Sequence, residues 1–270
     1  MIHRYWKFGI CFIFTGLLSI LSAYAAPLCC SHSSSCSSHS FPAIPHGAIV
    51  LKNLPAFNAI DSDGSIAVQI YGGADRQQVV LTDPRATRAE VIRGKLFLRE
   101  GTRPLASGRL HVIVYMNCEL NQLNLAHFTS IAGECIQSRC LTIFDESCGD
   151  LCLRGHIALN KLISTESGDI DIEWVDSDTI EIAADNTAHI HLGGRANRLY
   201  ARLAGAATLD TQYLRVKSAW VKSDDASMAG VSSSESLNVF VNDIGNVRYF
   251  REPESAYINT QNSATAFWWD

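Results

Sequence analysis

The side chains best suited to chemistry are two acids and two imidazoles at matched spacing, Asp169-Ile170-Asp171 and His189-Ile190-His191. Alternate residues of an extended strand share a face, so each acid pair and each imidazole pair points one way while the isoleucines point the other. If the two segments stack as neighbouring rungs about 4.8 Å apart, carboxylate and imidazole converge, which suits a divalent metal. Without a metal, the same arrangement is a solvated strand face on which acids sit opposite imidazoles as charge pairs. In this register Asp150 joins the column of Asp169 and His189, and Cys152 joins that of Asp171 and His191, with Arg154 beside Glu173.

Paired acids on a solenoid face also serve as general acid and base in enzymes that cleave polysaccharides. Here they lack a nearby Arg or Lys to hold an anionic sugar. A polysaccharide lyase or hydrolase is therefore the alternative to a binding module rather than the leading reading. The sequence contains no Gly-x-Ser-x-Gly, His-Glu-x-x-His, phosphate loop or dinucleotide fingerprint. No catalytic residue is assigned and no cofactor is expected.

The elements that would position these residues are strands. Ser65-Ile66-Ala67-Val68-Gln69-Ile70-Tyr71 alternates cleanly between glycines, and Gly94 to Gly101 and Leu110 to Met116 are further strands. A helical turn has room only between Pro84 and Val91. After Met116 a repeat emerges. Apolar anchors recur at Leu123, Leu141, Leu162, Ile180, Leu199, Leu214 and Leu237, with steps of 18, 21, 18, 19, 15 and 23 residues. A second register at Leu151, Ile170, Ile190 and Ala207 steps by 19, 20 and 17, with turn residues such as Ser167-Gly168-Asp169 and Asp185-Asn186 between the two. One such unit cannot bury its own apolar face, but a stack of them can. The pattern predicts an all-β solenoid with short strands and coils of about 20 residues. An antiparallel sandwich would need hairpin signals between neighbours, and only Asp63-Gly64, outside the repeat, supplies one.

The ends of the chain differ in composition. Arg4 and Lys7 precede an apolar stretch from Phe8 to about Leu21, and Ala23-Tyr24-Ala25 supplies small residues for cleavage, so residues 1–25 read as a signal peptide. The apolar run is short for a membrane span, which needs roughly 20 residues. Membrane contact is expected only through this segment. Residues 26–45 are a Ser/Cys-rich tether, and 257–270, ending Phe267-Trp268-Trp269-Asp270, are an aromatic segment expected to fold over the open end of the solenoid. The net charge is -5, and it becomes -7 without Arg4 and Lys7, from 20 basic and 27 acidic residues. That balance argues against nucleic acid, whose phosphates call for clustered Lys and Arg.

Export permits disulfides. Of nine cysteines, Cys118, Cys135, Cys140, Cys148 and Cys152 cluster mid-domain. Cys118 with Cys135 or Cys140, and Cys148 with Cys152, are candidate bonds on adjacent coils or within one turn. The alternative is thiols packed as small apolar groups. Cys152, on an outward position, is the best candidate for a bond or a reactive thiol.

The succession Phe57-Asn58-Ala59-Ile60, Gly64 to Ile70, Val91 to Leu98, Val112-Ile113-Val114, the coils, and Gly245-Asn246-Val247-Arg248-Tyr249 resembles the GIN domain, labelled an auto-transporter adhesin head. Relatives carry a Gly before the closing Pro, where this chain has Phe250-Arg251-Glu252, and its cysteines are atypical. The resemblance covers the expected domain at 46–256 and implies a right-handed parallel β-solenoid on an exported envelope protein. The expected function is a non-catalytic binding or structural module, adhesin-like, in the periplasm, on the outer membrane surface or outside the cell. Its partner would be an envelope macromolecule, protein or glycan. The exported protein is expected to begin near Ala26 when sequenced from its N-terminus; a sequence starting at Met1 would refute the signal-peptide assignment.

Overall fold

The computed structural model describes residues 44, 47–51, 54–101 and 109–269. The expected signal peptide and, Ile44 apart, the tether lie outside them. Among the described residues there is no helix, only strands. In chain order β1 is Ile49–Leu51, β2 Ala59–Asp63, β3 Ile66–Tyr71, β4 Gln78–Leu81, β5 Thr87–Ile92 and β6 Lys95–Glu100. Next come β7 Leu110–Tyr115, β8 Gln122–His127, β9 Ser130–Ser147, β10 Leu151–Ser164, β11 Asp169–Ala184 and β12 His189–Leu203. The last are β13 Thr208–Ser223, β14 Met228–Val241, β15 Asn246–Tyr249, β16 Ser255–Thr260 and β17 Thr265–Trp268.

From β8 onward each strand pairs in parallel with the next coil, which makes the molecule a parallel β-solenoid. One inward column runs Val68, Ile131, Leu151, Ile170, Ile190, Leu209, Ala229 and Val247, and another Leu123, Ile143, Leu162, Ile182, Ala201, Val221 and Val239. All of these side chains are buried in one continuous core. Strands β10 and β12 bend at Gly155 and Gly194, which have φ of 144° and 117°. A Cβ there would collide with the carbonyl oxygens of Ile136 and Val175 on the preceding coil, so the bend requires glycine.

The anchors differ from expectation at several steps: Leu123 is opposite Ile143, Leu141 opposite Leu159 and Leu162 opposite Ile182. Leu199 is opposite Ala219, not Leu214, and Leu214 faces Gly194. Likewise Ile190 is opposite Leu209 and Ala207 lies in the turn before it. At Leu199 a small inward residue, Ala219, carries the true register, and the uneven steps of the sequence repeat there arise from taking the larger Leu214 instead.

From β11 onward the turns between coils share one geometry. Asn186, Gly205, Asp225, Asp243 and Asn262 all have φ between 56° and 64°, each at the second position of a four-residue turn. Gly, Asn and Asp tolerate this left-handed conformation best. Each turn bonds to the next through Ala206 N to Asn186 O (2.6 Å), Ala226 N to Gly205 O (2.9 Å), Ile244 N to Asp225 O (3.0 Å) and Ser263 N to Asp243 O (2.9 Å).

The two ends are built differently. The coil of β2 and β3 lies between a later-made outer coil, β6 and β7, and the coil that follows, β8 and β9. The open edges of β6 and β7 are covered by antiparallel β5 and β4, and β1 lies antiparallel on β4. The segment expected to hold a helical turn does so at Asp83–Thr87, where Thr87 N donates to Asp83 O (3.0 Å), before the chain extends as β5. At the other end the aromatic tail does not fold across the stack. It adds a rung: Ala266 and Trp268 of β17 stand on Val247 and Tyr249, and β16 stands on β14. The solenoid thus runs past the expected boundary at 256, and Trp268 is half exposed.

Two predictions follow from the core. Ile170 is 1% exposed, and Ile170→Asp would bury an unpaired charge, so the melting curve should shift by several kcal/mol of stability. Asp145 is also 1% exposed. Burial raises its carboxyl from the usual 3.8 to about 6, against the hydrogen bonds from the Ser147 hydroxyl and amide. The folded state therefore keeps a proton that the unfolded state releases, and this group costs stability as pH rises from 3.8 to about 6. Asp145→Asn cannot ionise, so its advantage over wild type in urea unfolding should grow from near zero at acid pH to as much as about 3 kcal/mol at neutral pH.

Candidate functional site

The expected ladder has the register that its spacing implies. Asp169 is opposite His189, Asp171 opposite His191, and Cys152 opposite Asp171. His191 Nδ1 lies 3.1 Å from Asp171 Oδ1, and Arg154 Nε 3.0 Å from Glu173 Oε2. Asp169 and His189 are exposed, and His191 meets Tyr213 edge-on at 6.2 Å. Among the described residues, no three His, Cys, Asp or Glu side chains are gathered where they could hold a metal ion. Asp171 with His191, and Glu173 with Arg154, are cross-rung pairs.

The cysteines are spread over several elements. Cys118 is a free thiol that donates to Phe57 O (3.1 Å) and accepts from Gln77 Nε2 (3.0 Å). Burial raises its pKa, with the charge of Glu119 adding to the effect. Cys140 is an exposed free thiol in β9. Cys135 sits at a bend of β9 with φ 54°, and Cys148 is half-buried just after that strand. Cys152 occupies the outward column as expected but is only 6% exposed, which removes it as a surface thiol.

A different face carries the concentration of binding groups. The third side of each coil presents two adjacent outward columns. One runs Lys161, Glu181, Tyr200, Trp220, Asn238 and Tyr257; the other Ile163, Ala183, Arg202, Lys222, Phe240 and Asn259. Strand alternation turns these residues outward, because Ile182, Ala201, Val221 and Val239 between them fill the core.

The rings form a chain across the rungs. Trp220 and Phe240 have centroids 5.7 Å apart, Phe240 and Tyr257 5.6 Å, and the Arg202 guanidinium lies 5.6 Å over Trp220. Tyr200 and Tyr257 are exposed, while Trp220 and Phe240 are half-buried. A shallow trough bounded by Lys161, Glu181, Tyr200, Arg202 and Trp220 continues past Phe240 to Asn242, Asn259 and Gln261.

Flat rings flanked by amide, guanidinium and carboxylate groups suit a ligand with both apolar and hydrogen-bonding surfaces. Asp224 at the margin is bound by Lys222 (2.6 Å) and by the Asn242 amide. Its burial pushes the pKa up, but the hydrogen bonds from Lys222 and Asn242 outweigh burial and hold it below the usual carboxylate range. The sequence did signal this face, since Tyr200, Trp220 and Phe240 recur every 20 residues. Reading the repeat through Leu214 obscured it.

No curated protein matches the chain. Among solved structures it is similar to a "putative lipid binding protein" of Parabacteroides distasonis, at 17% identity and a TM-score of 0.70, over 83% of this chain and 96% of that one. A "putative adhesin" of the same organism aligns with 17% identity and a TM-score of 0.67, over 82% and 96% of the two chains. A "putative adhesin" of Bacteroides fragilis gives 15% and 0.59, over 83% and 97%. These likenesses establish the fold. Residues 56–253 match the family described as "Putative auto-transporter adhesin, head GIN domain", and the chain belongs to that family.

Proposed function

We propose that the domain is a non-catalytic, exported binding module of the adhesin kind that holds glycan chains against the aromatic face of β12 to β16. The observation that carries this reading is the run of Tyr200, Trp220, Phe240 and Tyr257 across successive rungs, with Arg202, Asn238 and Asn259 beside it. Sugar rings have C–H faces that lie on aromatic rings and hydroxyls that bond to amides and guanidinium groups. Rungs about 4.8 Å apart repeat this pairing along the stack, as a polymeric ligand requires. Membership of an adhesin-head family supports a place outside the cytoplasm.

The adhesin family and the adhesin-titled neighbours do not favour the polysaccharide-cleaving alternative. The purified domain should bind members of an array of neutral and acidic oligosaccharides without shortening them. Trp220→Ala should weaken binding about tenfold or more, a change of ~1.4 kcal/mol, with an unchanged melting temperature. Absence of glycan binding, or wild-type binding by Trp220→Ala, would overturn the proposal.

A further inference from the structure

Around the corner from the aromatic face, on the same strands, charge compensation stops at one rung. On β11, Asp176 is gripped by Arg195 of β12 through Nε (2.9 Å) and Nη2 (2.6 Å). Asp178 accepts hydrogen bonds from Asn197 Nδ2 and Arg198 Nη2, both at 2.8 Å. One rung higher the pattern changes. Arg215 of β13 stands directly over Arg195, with Lys217 two residues on, and β14 answers with Ser234 rather than an acid. Arg251, from the segment between β15 and β16, enters the same groove. Among the described residues, none of Arg215, Lys217 and Arg251 forms an ion pair. The acid in the groove lining is Asp176, which Arg195 already holds, and Glu235, Glu252 and Glu254, the acids nearest in sequence to the three cations, do not line it.

Like charges on adjacent rungs repel, and the chain as a whole is acidic at -5. Three uncompensated cations gathered here are therefore not the spill-over of a basic surface. An oxyanion between them would remove the repulsion and accept the forked hydrogen bonds that guanidinium groups offer to carboxylate and sulfate. The second hydrogen of the Asn197 amide, whose first is donated to Asp178, adds a neutral donor. Ala196 and Val216, the apolar residues of the lining, are buried, so the groove offers no apolar anchor for lipid.

We propose that this groove is an anion subsite through which the domain selects acidic glycans, with Arg215, Lys217 and Arg251 holding the carboxylate or sulfate groups of the chain. This inference rests on the glycan reading of the aromatic face. The two are separated by comparing an acidic probe, chondroitin sulfate, with uncharged dextran oligosaccharides and with vesicles containing phosphatidylglycerol. Chondroitin sulfate should bind more tightly than dextran, and its affinity should fall as salt is raised. The triple variant Arg215→Gln/Lys217→Gln/Arg251→Gln should lose at least tenfold in affinity for chondroitin sulfate and most of its salt dependence. It should keep its melting temperature and any affinity for dextran, whereas Trp220→Ala should weaken both ligands. Equal affinity for the two sugars, or a triple variant that binds chondroitin sulfate like wild type, overturns the anion subsite alone. Tighter binding of the triple-sensitive kind to vesicles than to chondroitin sulfate also overturns it, in favour of a lipid headgroup. Failure of every sugar to bind overturns both readings.

Discussion

The structure depends on each coil returning to the same place one rung higher. Parallel pairing leaves every strand's amides and carbonyls to be satisfied by the coils above and below, so a coil out of step would bury unpaired polar groups. The stacked turns enforce this return. From β11 onward a left-handed residue at Asn186, Gly205, Asp225, Asp243 and Asn262 reverses the chain in the same way, and direct bonds between successive turns lock the pitch. Given that pitch, the inward columns form a single core, and the outward columns are free to vary without disturbing it.

That division of labour explains how one fold carries several surfaces. Inward positions are restricted to residues that fill a narrow interior, and even the polar ones, such as Ser223 and Ser227, bond within the turn. Outward positions differ from face to face: Asp171 and His191 pair on one, Asp176 and Arg195 on another, and rings line up on a third. The chemistry of this protein therefore comes from the vertical succession of side chains, read across rungs. A motif read along the chain would miss it.

The sequence made the fold class legible because Leu151, Ile170 and Ile190 are large and evenly spaced at the centre of the domain. The cross-rung partners of Asp171 and Glu173 followed from that register. Where the inward residue is small, as at Ala201 and Ala219, the hydrophobic signal fails and Leu214 misleads. The interleaving of β2 and β3 was not legible, because nothing local in those strands records which later segment lies on either side. The aromatic tail lies on the last strand edges as a further rung, with Ala266 and Trp268 opposite Val247 and Tyr249 and with Trp268 half exposed. Among the site residues, the acid and imidazole pairs share the even spacing of Ile170 and Ile190, whereas the rings fall in two adjacent columns because Trp220 is opposite Asn238 and Lys222 opposite Phe240.

The interleaved first coil has a kinetic consequence. Both long edges of β2 and β3 are satisfied only by strands synthesised later, one partner coil ending at Tyr115 and the other in β9. These segments cannot settle as they emerge and must wait as open edges while the intervening chain is laid down on either side. The middle coils, whose partners are immediate neighbours in sequence, have only short loops to close. Assembly is therefore expected to nucleate in the regular coils and to reach the N-terminal end last, leaving the part of the chain made first as the last to become protected from solvent exchange.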